Sequence, residues 1–156
     1  MGRILLKNFL TDADKREIEA AVASAEKKTS GEIVILVVQK SRKVLSVLTD
    51  EAAVEQRARK AFLSTGIQNT HDRTGVLIMI SLDERMVNVK ADKDVHDKVK
   101  ADTWQTTVNV ILDGIKDNRA AEGICRGIEH AGEILAEHFP ARPNDRNELP
   151  DGVLYR

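Results

Sequence analysis

Two apolar runs separated by a short charged turn constrain this chain more than any other feature. Val76 to Ile80 is apolar without a break, Asp83-Glu84-Arg85 is fully charged, and Met86 to Ala91 alternates. An unbroken run bounded by turn residues predicts a strand buried on both faces, and alternation predicts a strand with one wet face. A connection this short and polar makes the pair an antiparallel hairpin. The start of the first strand then lies beside the end of the second. The cluster His71-Asp72-Arg73 should therefore meet Asp92-Lys93-Asp94-Val95-His96-Asp97 in space, although the two stand well apart along the chain.

Glu32-Ile-Val-Ile-Leu-Val-Val38 is a second β-branched run without polar breaks. Two such strands need cover on both faces, and between them Ser41 to Gly66 leaves room for a crossover helix whose apolar face is Val54, Ala58, Ala61 and Phe62. The expected unit is a right-handed βαβ with parallel strands at 32–39 and 75–82. Met86 to Ala91 then returns at an edge, with Asn88 and Lys90 in solvent and Val87, Val89 and Ala91 facing in.

Helices fill the remainder. Thr11-Asp12-Ala13-Asp14 has the form of a capping box and opens a helix from about Asp12 to Lys28, with Gly31 as its left-handed cap. Val95 and Val99 mark one short helical turn. Thr103 is placed to cap a longer helix striped by Trp104, Val108, Ile111 and Ile115, which Asp117-Asn118-Arg119 breaks. A last helix turns Ile124, Ile128, Ala131 and Leu135 inward. Its Gly123, Gly127 and Ala131 form a small-residue strip suited to close helix packing inside the domain. The predicted architecture is one α/β domain over residues 1–139: a three-layer α/β/α sandwich around a small mixed sheet. Residues 140–156, with three prolines, form an extended C-terminal tail.

Composition removes several function classes. With 24 basic against 25 acidic residues mixed along 156, there is no electrostatic footprint for nucleic acid. No run approaches the ~18 apolar residues of a membrane span. MGRILLKNFL lacks the apolar core of a signal peptide, and a single cysteine gives no internal disulfide. The expected setting is cytoplasmic. There is no GxSxG elbow, no Ser-His-Asp order and no phosphate-cradling glycine loop.

Several short motifs in a fixed order resemble the TPM domain family: Glu26-Lys-Lys-Thr-Ser-Gly-Glu-Ile-Val-Ile, Asp72-Arg-Thr-Gly-Val-Leu-Ile, Val89-Lys-Ala-Asp-Lys-Asp-Val, the isolated Trp104, His138-Phe-Pro and Asn147-Glu-Leu-Pro-Asp. The resemblance is closer to the soluble bacterial branch of that family, without signal peptide or membrane anchor. It implies an α/β sandwich, and it links the chain to divalent-metal binding, to a phosphatase name taken from a plant relative, and to assembly of membrane complexes. Two positions depart from the family pattern. Thr74 stands where relatives often carry Asn, and Asp94 where many carry Gly.

Parallel pairing of the two apolar strands adds Glu32 to the end of the sheet that gathers Asp72, Asp92 and Asp94, with His71 and His96 nearby. Clustered carboxylates repel unless a cation or a shared proton settles them. Such oxygen donors suit Ca²⁺ or Mg²⁺, and an imidazole would move the choice toward Mn²⁺ or Zn²⁺. The alternative is that these are solvated loop charges, with Asp92 or Asp94 capping the short helix. At the opposite end of the sheet, Gln39, Lys40, Ser41, Ser81 and Asp83 would ring the crevice outside the carboxyl ends of the strands, and Ser41-Arg42-Lys43 could hold an anion there. His130 and His138 lack the spacing of a helical zinc pair, and Cys125 reads as a structural thiol. Two functions fit: a divalent-metal-binding domain with phosphomonoesterase activity, or a non-catalytic module whose metal-ordered loops meet a protein partner.

Overall fold

The computed structural model describes residues 3–39, 74–141 and 153–155. Helices α1 (Leu6–Phe9) and α2 (Asp12–Glu26) lead into β1 (Glu32–Val38). The hairpin β2 (Gly75–Ser81) and β3 (Met86–Ala91) precedes α3 (Lys93–Lys98), α4 (Gln105–Lys116) and α5 (Ala120–His138), and β4 (Val153–Tyr155) closes the order. The sheet runs β3-β2-β1-β4. β1 and β2 are parallel from Glu32↔Gly75 to Val38↔Ser81, and β3 lies antiparallel to β2. The expected crossover helix within Ser41 to Gly66 lies outside the described residues.

Every residue of β1 and β2 is buried. Ile33, Ile35, Val76 and Ile78 share one core with Ile18 and Val22 of α2, Ile111 of α4, and Ile124 and Ile128 of α5. The alternate set, including Val34, Leu36, Leu77 and Met79, is buried to the same degree. Strands lacking a polar face demand this, because each face must leave water. The fold is α/β with a small mixed sheet, and the covered faces fit a sandwich.

Local chemistry explains the element ends. Thr11 Oγ1 accepts from the Asp14 N–H and Asp14 Oδ2 accepts from the Thr11 N–H, both at 3.0 Å, which is the expected capping box. α2 stops at Glu26, and Gly31 is not in the left-handed region, so its role as a left-handed cap is not what the structure uses. Space is the reason for a glycine here. A Cβ on Gly31 would stand 3.0 Å from the Thr74 carbonyl oxygen and 3.1 Å from Leu135 Cδ1. Thr103 does not cap α4 either. It lies inside a 3-10 turn, Ala101–Trp104, and its N–H donates to the Lys100 carbonyl instead.

The break after α4 is a Schellman motif with asparagine in the glycine position. Asn118 has φ 60°, the Arg119 N–H donates to Gly114 O at 2.7 Å, and the Asn118 N–H donates to Ile115 O at 3.3 Å. That turn lays α5 back along α4. Gly123 and Gly127 of the small-residue strip face α4, where Gly114 provides the matching gap. The tail also contributes structure: β4 pairs parallel to β1, with Ile35↔Val153 and Val37↔Tyr155. β3 is half-buried along most of its length, Lys90 included, and burial lowers the Lys90 pKa.

Candidate functional site

At the amino end of β1, backbone hydrogen bonds stitch three chain segments into one rim. The Glu32 N–H donates to Thr74 O at 3.4 Å, Thr74 Oγ1 donates to Ser30 O at 3.4 Å, and the Asp92 N–H donates to Gly75 O at 2.7 Å. The rim is braced from behind. Thr29 Oγ1 accepts the Gly31 N–H at 3.0 Å, and the Ser30 N–H donates to Phe139 O at 3.0 Å, holding the turn to the end of α5. Glu26 Oε2 accepts the Ile33 N–H at 2.7 Å. That side chain replaces a neighbouring strand, because β4 first pairs with β1 at Ile35.

Two of the carboxylates singled out from the sequence therefore share this rim, and both are withdrawn from water. Glu32 is 5% exposed and Asp92 2%, with Thr74 between their segments at 4%. Burial of a carboxylate is costly unless hydrogen bonds or opposite charge compensate it. Asp92 Oδ1 accepts the Lys93 N–H at 2.8 Å and the Asp92 carbonyl accepts the His96 N–H at 2.9 Å, so Asp92 caps α3. Neither Glu32 nor Asp92 is electrostatically isolated.

Asp94 is half-buried and His96 exposed on α3. Among the described residues, no three His, Cys, Asp or Glu side chains form a set that could hold an ion, so Asp94 and His96 do not complete one with Glu32 and Asp92. His71 and Asp72 lie outside the described residues; Thr74, two positions after Asp72, is at the rim.

The opposite end of the sheet is tied up by the chain itself. Gln39 Nε2 donates to Ile4 O at 2.7 Å and to Asp83 Oδ1 at 2.8 Å, while Gln39 Oε1 accepts the Leu6 N–H at 2.7 Å. Arg3 grips Asp83 through Nε at 3.0 Å and Nη2 at 2.9 Å, and that carboxylate raises the Arg3 pKa. Two residues expected to ring an anion crevice instead anchor the N-terminal segment. Lys40, Ser41, Arg42 and Lys43 lie outside the described residues. No local pattern announces the Arg3–Asp83 pair, since the partners stand 80 positions apart.

The remaining singled-out groups have structural settings. His130 Nδ1 is 2.7 Å from the hydroxyl of buried Thr107. Burial, followed by Glu17, Glu129 and Asp14, pushes the Cys125 thiol up to about 11. No helix among the described residues is long and apolar enough to cross a membrane.

Comparison with known proteins bears on the family and the fold. A family model described as the TPM domain matches residues 6–134. The NMR structure of the BA42 protein from the psychrophilic bacterium Bizionia argentinensis shares 32% identity at a TM-score of 0.84, covering 97% of this chain and 99% of that one. The N-terminal domain of a P. gingivalis protein, also solved by NMR, is 14% identical with a TM-score of 0.64 over 86% of this chain and 81% of its own, a likeness of fold alone. No curated protein matches the chain.

Proposed function

Since the chain belongs to the TPM domain family, we propose that it is a divalent-cation-binding domain whose ion is held at the rim by Glu32, Asp92 and Asp72. The observation that carries this reading is the burial of two carboxylates from distant segments at one end of the sheet, with buried Thr74 leading the strand between them. Their chemistry fits the group. Carboxylate and hydroxyl oxygens are the hard donors that Ca²⁺ and Mg²⁺ take, and the exposed position of His96 keeps its imidazole out of the buried donors. Asp72 would bring the third carboxylate and His71 an adjoining donor, with Asp94 further out on α3.

Bound there, a divalent cation would polarise a phosphoryl oxygen and acidify a bound water, the chemistry a phosphomonoesterase needs. This chain's contribution is a rigid donor set, because Glu32 and Asp92 project from the ends of hydrogen-bonded strands.

Titrating the full chain with Ca²⁺, Mg²⁺, Mn²⁺ and Zn²⁺, followed at backbone amides, tests the reading. Shifts are expected at Glu32, Gly75, Asp92 and Lys93. Asp92→Asn keeps an N-cap and should lose the cation-dependent thermal shift without lowering the cation-free Tm. Asp92→Ala also loses the cap, worth about 1 kcal/mol, and should melt a further 2–4 °C or so lower. Amides that ignore every cation would sink the proposal. A generic phosphomonoester assayed with and without chelator then separates an enzyme from a cation-ordered interaction module.

A further inference from the structure

Beyond the last residues of β2, between the N-terminal segment and α4, lies a cavity of about 330 Å³. Its floor is aliphatic: Ile80 and Leu82 come from the strand end, Leu112 and Ile115 from α4, and Ile4 from the N-terminal segment, with Met86 of β3 beside them. Well-packed interiors leave few voids larger than a water molecule. An apolar cavity of ~150 Å³ takes up one benzene ring, so this one has room for about two fused rings. It reaches the lower range of small-molecule sites, roughly 300–1,000 Å³. It also occupies the place where open α/β sheets bind ligands, outside the carboxyl end of a parallel strand.

The walls are set before any ligand arrives. Ile4 is fixed through its carbonyl on Gln39 Nε2 and through the neighbouring Arg3 on Asp83. Leu82 is fixed by its N–H on Val38 O at 3.0 Å, and the turn that follows closes with the Arg85 N–H on Leu82 O at 3.2 Å. A ligand entering here would not have to order its own site.

The mouth decides the charge of that ligand. Asp113 and Lys116 stand three apart on α4, so they are neighbours on its surface and bring one exposed charge of each sign. Arg85 also lines the cavity, but it already has an interaction partner within the protein. A charged ligand group would therefore shed water at the mouth without a dedicated counter-charge to offset the loss, and deeper in it would meet the aliphatic floor. An uncharged ring carries no such cost, and its burial against Ile80, Leu82 and Leu112 is favourable. Met86, unbranched and polarisable, suits the edge of an aromatic ring.

We propose that this cavity binds a small uncharged aromatic molecule of about two fused rings. The rings lie over Ile80, Leu82 and Leu112, and any polar substituent lies at the mouth. The site is at the opposite end of the sheet from Glu32 and Asp92, so it stands or falls independently of cation binding.

The test is an NMR titration of the full chain with tryptophol, an uncharged indole, against indole-3-acetate and tryptamine, its anionic and cationic counterparts of similar length. Tryptophol should shift signals of Ile4, Leu82, Met86 and Leu112. It should bind about tenfold or more tightly than either charged probe, a difference of ~1.4 kcal/mol. Lys116→Gln, an exposed change, should leave tryptophol binding unaltered. Leu112→Trp, which fills the floor, should abolish it. Should the tryptophan variant fail to fold, the comparison of the three probes decides alone. Either charged probe binding as tightly as tryptophol would overturn the proposal. So would loss of tryptophol binding in Lys116→Gln, shifts confined to another surface, or none up to the solubility limit of tryptophol.

Discussion

Gly123→Ala should lower the stability of this domain even though alanine is the better helix former. A Cβ at Gly123 would stand 2.9 Å from Gly114 Cα, 2.9 Å from Val110 O and 3.2 Å from Ile111 O. All three are backbone atoms, so no rotamer change relieves the contact and α4 and α5 must move apart. Separation also loosens the next layer, where a Cβ on Gly127 would already meet Ile111 at 2.6 Å. Overpacking of this kind costs ~1–3 kcal/mol beyond what it displaces, and helix propensity returns about 1 kcal/mol. Because relief here demands backbone movement, the upper part of that range applies and a net loss of about 1–2 kcal/mol is expected. For a chain of this size that is a fall in Tm of roughly 2–8 °C. Thermal unfolding followed by circular dichroism measures it, with Gly114→Ala as a companion, since its Cβ would lie only 2.6 Å from Gly123 Cα. An unchanged or higher Tm for Gly123→Ala would show that the helices separate freely, and the close-packing argument would fail.

Two further outcomes follow from partly buried polar groups. Cys125 should react with alkylating reagents at pH 8 about 100-fold more slowly than a thiol of ordinary pKa, because burial raises its pKa to about 11 and only the thiolate attacks. Since folding favours the neutral thiol, the stability it confers is present at neutral pH and is lost as pH rises from the ordinary thiol range toward about 11. Unfolding in denaturant should restore the ordinary labelling rate; equal rates folded and unfolded would contradict the assignment. Glu26→Ala leaves the buried Ile33 N–H without its acceptor and should cost about 1–3 kcal/mol, while Glu26→Gln keeps a carbonyl oxygen in reach and should recover most of it. Chemical denaturation of both variants distinguishes a lost hydrogen bond from a lost charge, for only the latter makes Gln as harmful as Ala.

Much of this architecture is legible in the chain because its strongest signals are local. Val76 to Ile80 and Ile33 to Val38 lack a polar position, so they admit only a strand covered on both sides, and the charged turn between Ile80 and Met86 sets the hairpin. Strand pairing alone then places Glu32 beside Gly75 and Asp92 beside Gly75, which makes half of the rim readable before any coordinates. What stays hidden depends on contacts with no local echo. Arg3 finds Asp83 across the molecule, and Gly114 faces Gly123 because an asparagine in the left-handed region turns the chain between them. Val153 to Tyr155 follows a proline-containing tail and looks unremarkable as a strand until β1 offers it an edge. Thr103 has the right chemistry for a cap but sits in a tighter turn, where its N–H is already committed to Lys100.

The two ends of the sheet use the same residue types to different effect. At the carboxyl end, Asp83 is met by Arg3 and Gln39, so its charge is spent on anchoring the N-terminal segment. At the amino end, Glu26 substitutes for a strand and Asp92 for the missing turn before α3, each through one oxygen on a backbone N–H. α3 is six residues long, far below the length at which a helix persists alone, so its order depends on Asp92 and on Val95 in the core. A carboxylate that both caps a helix and binds an ion couples the two events. An ion held by Asp92 as proposed would therefore be felt along α3, whether it is catalytic or purely organising.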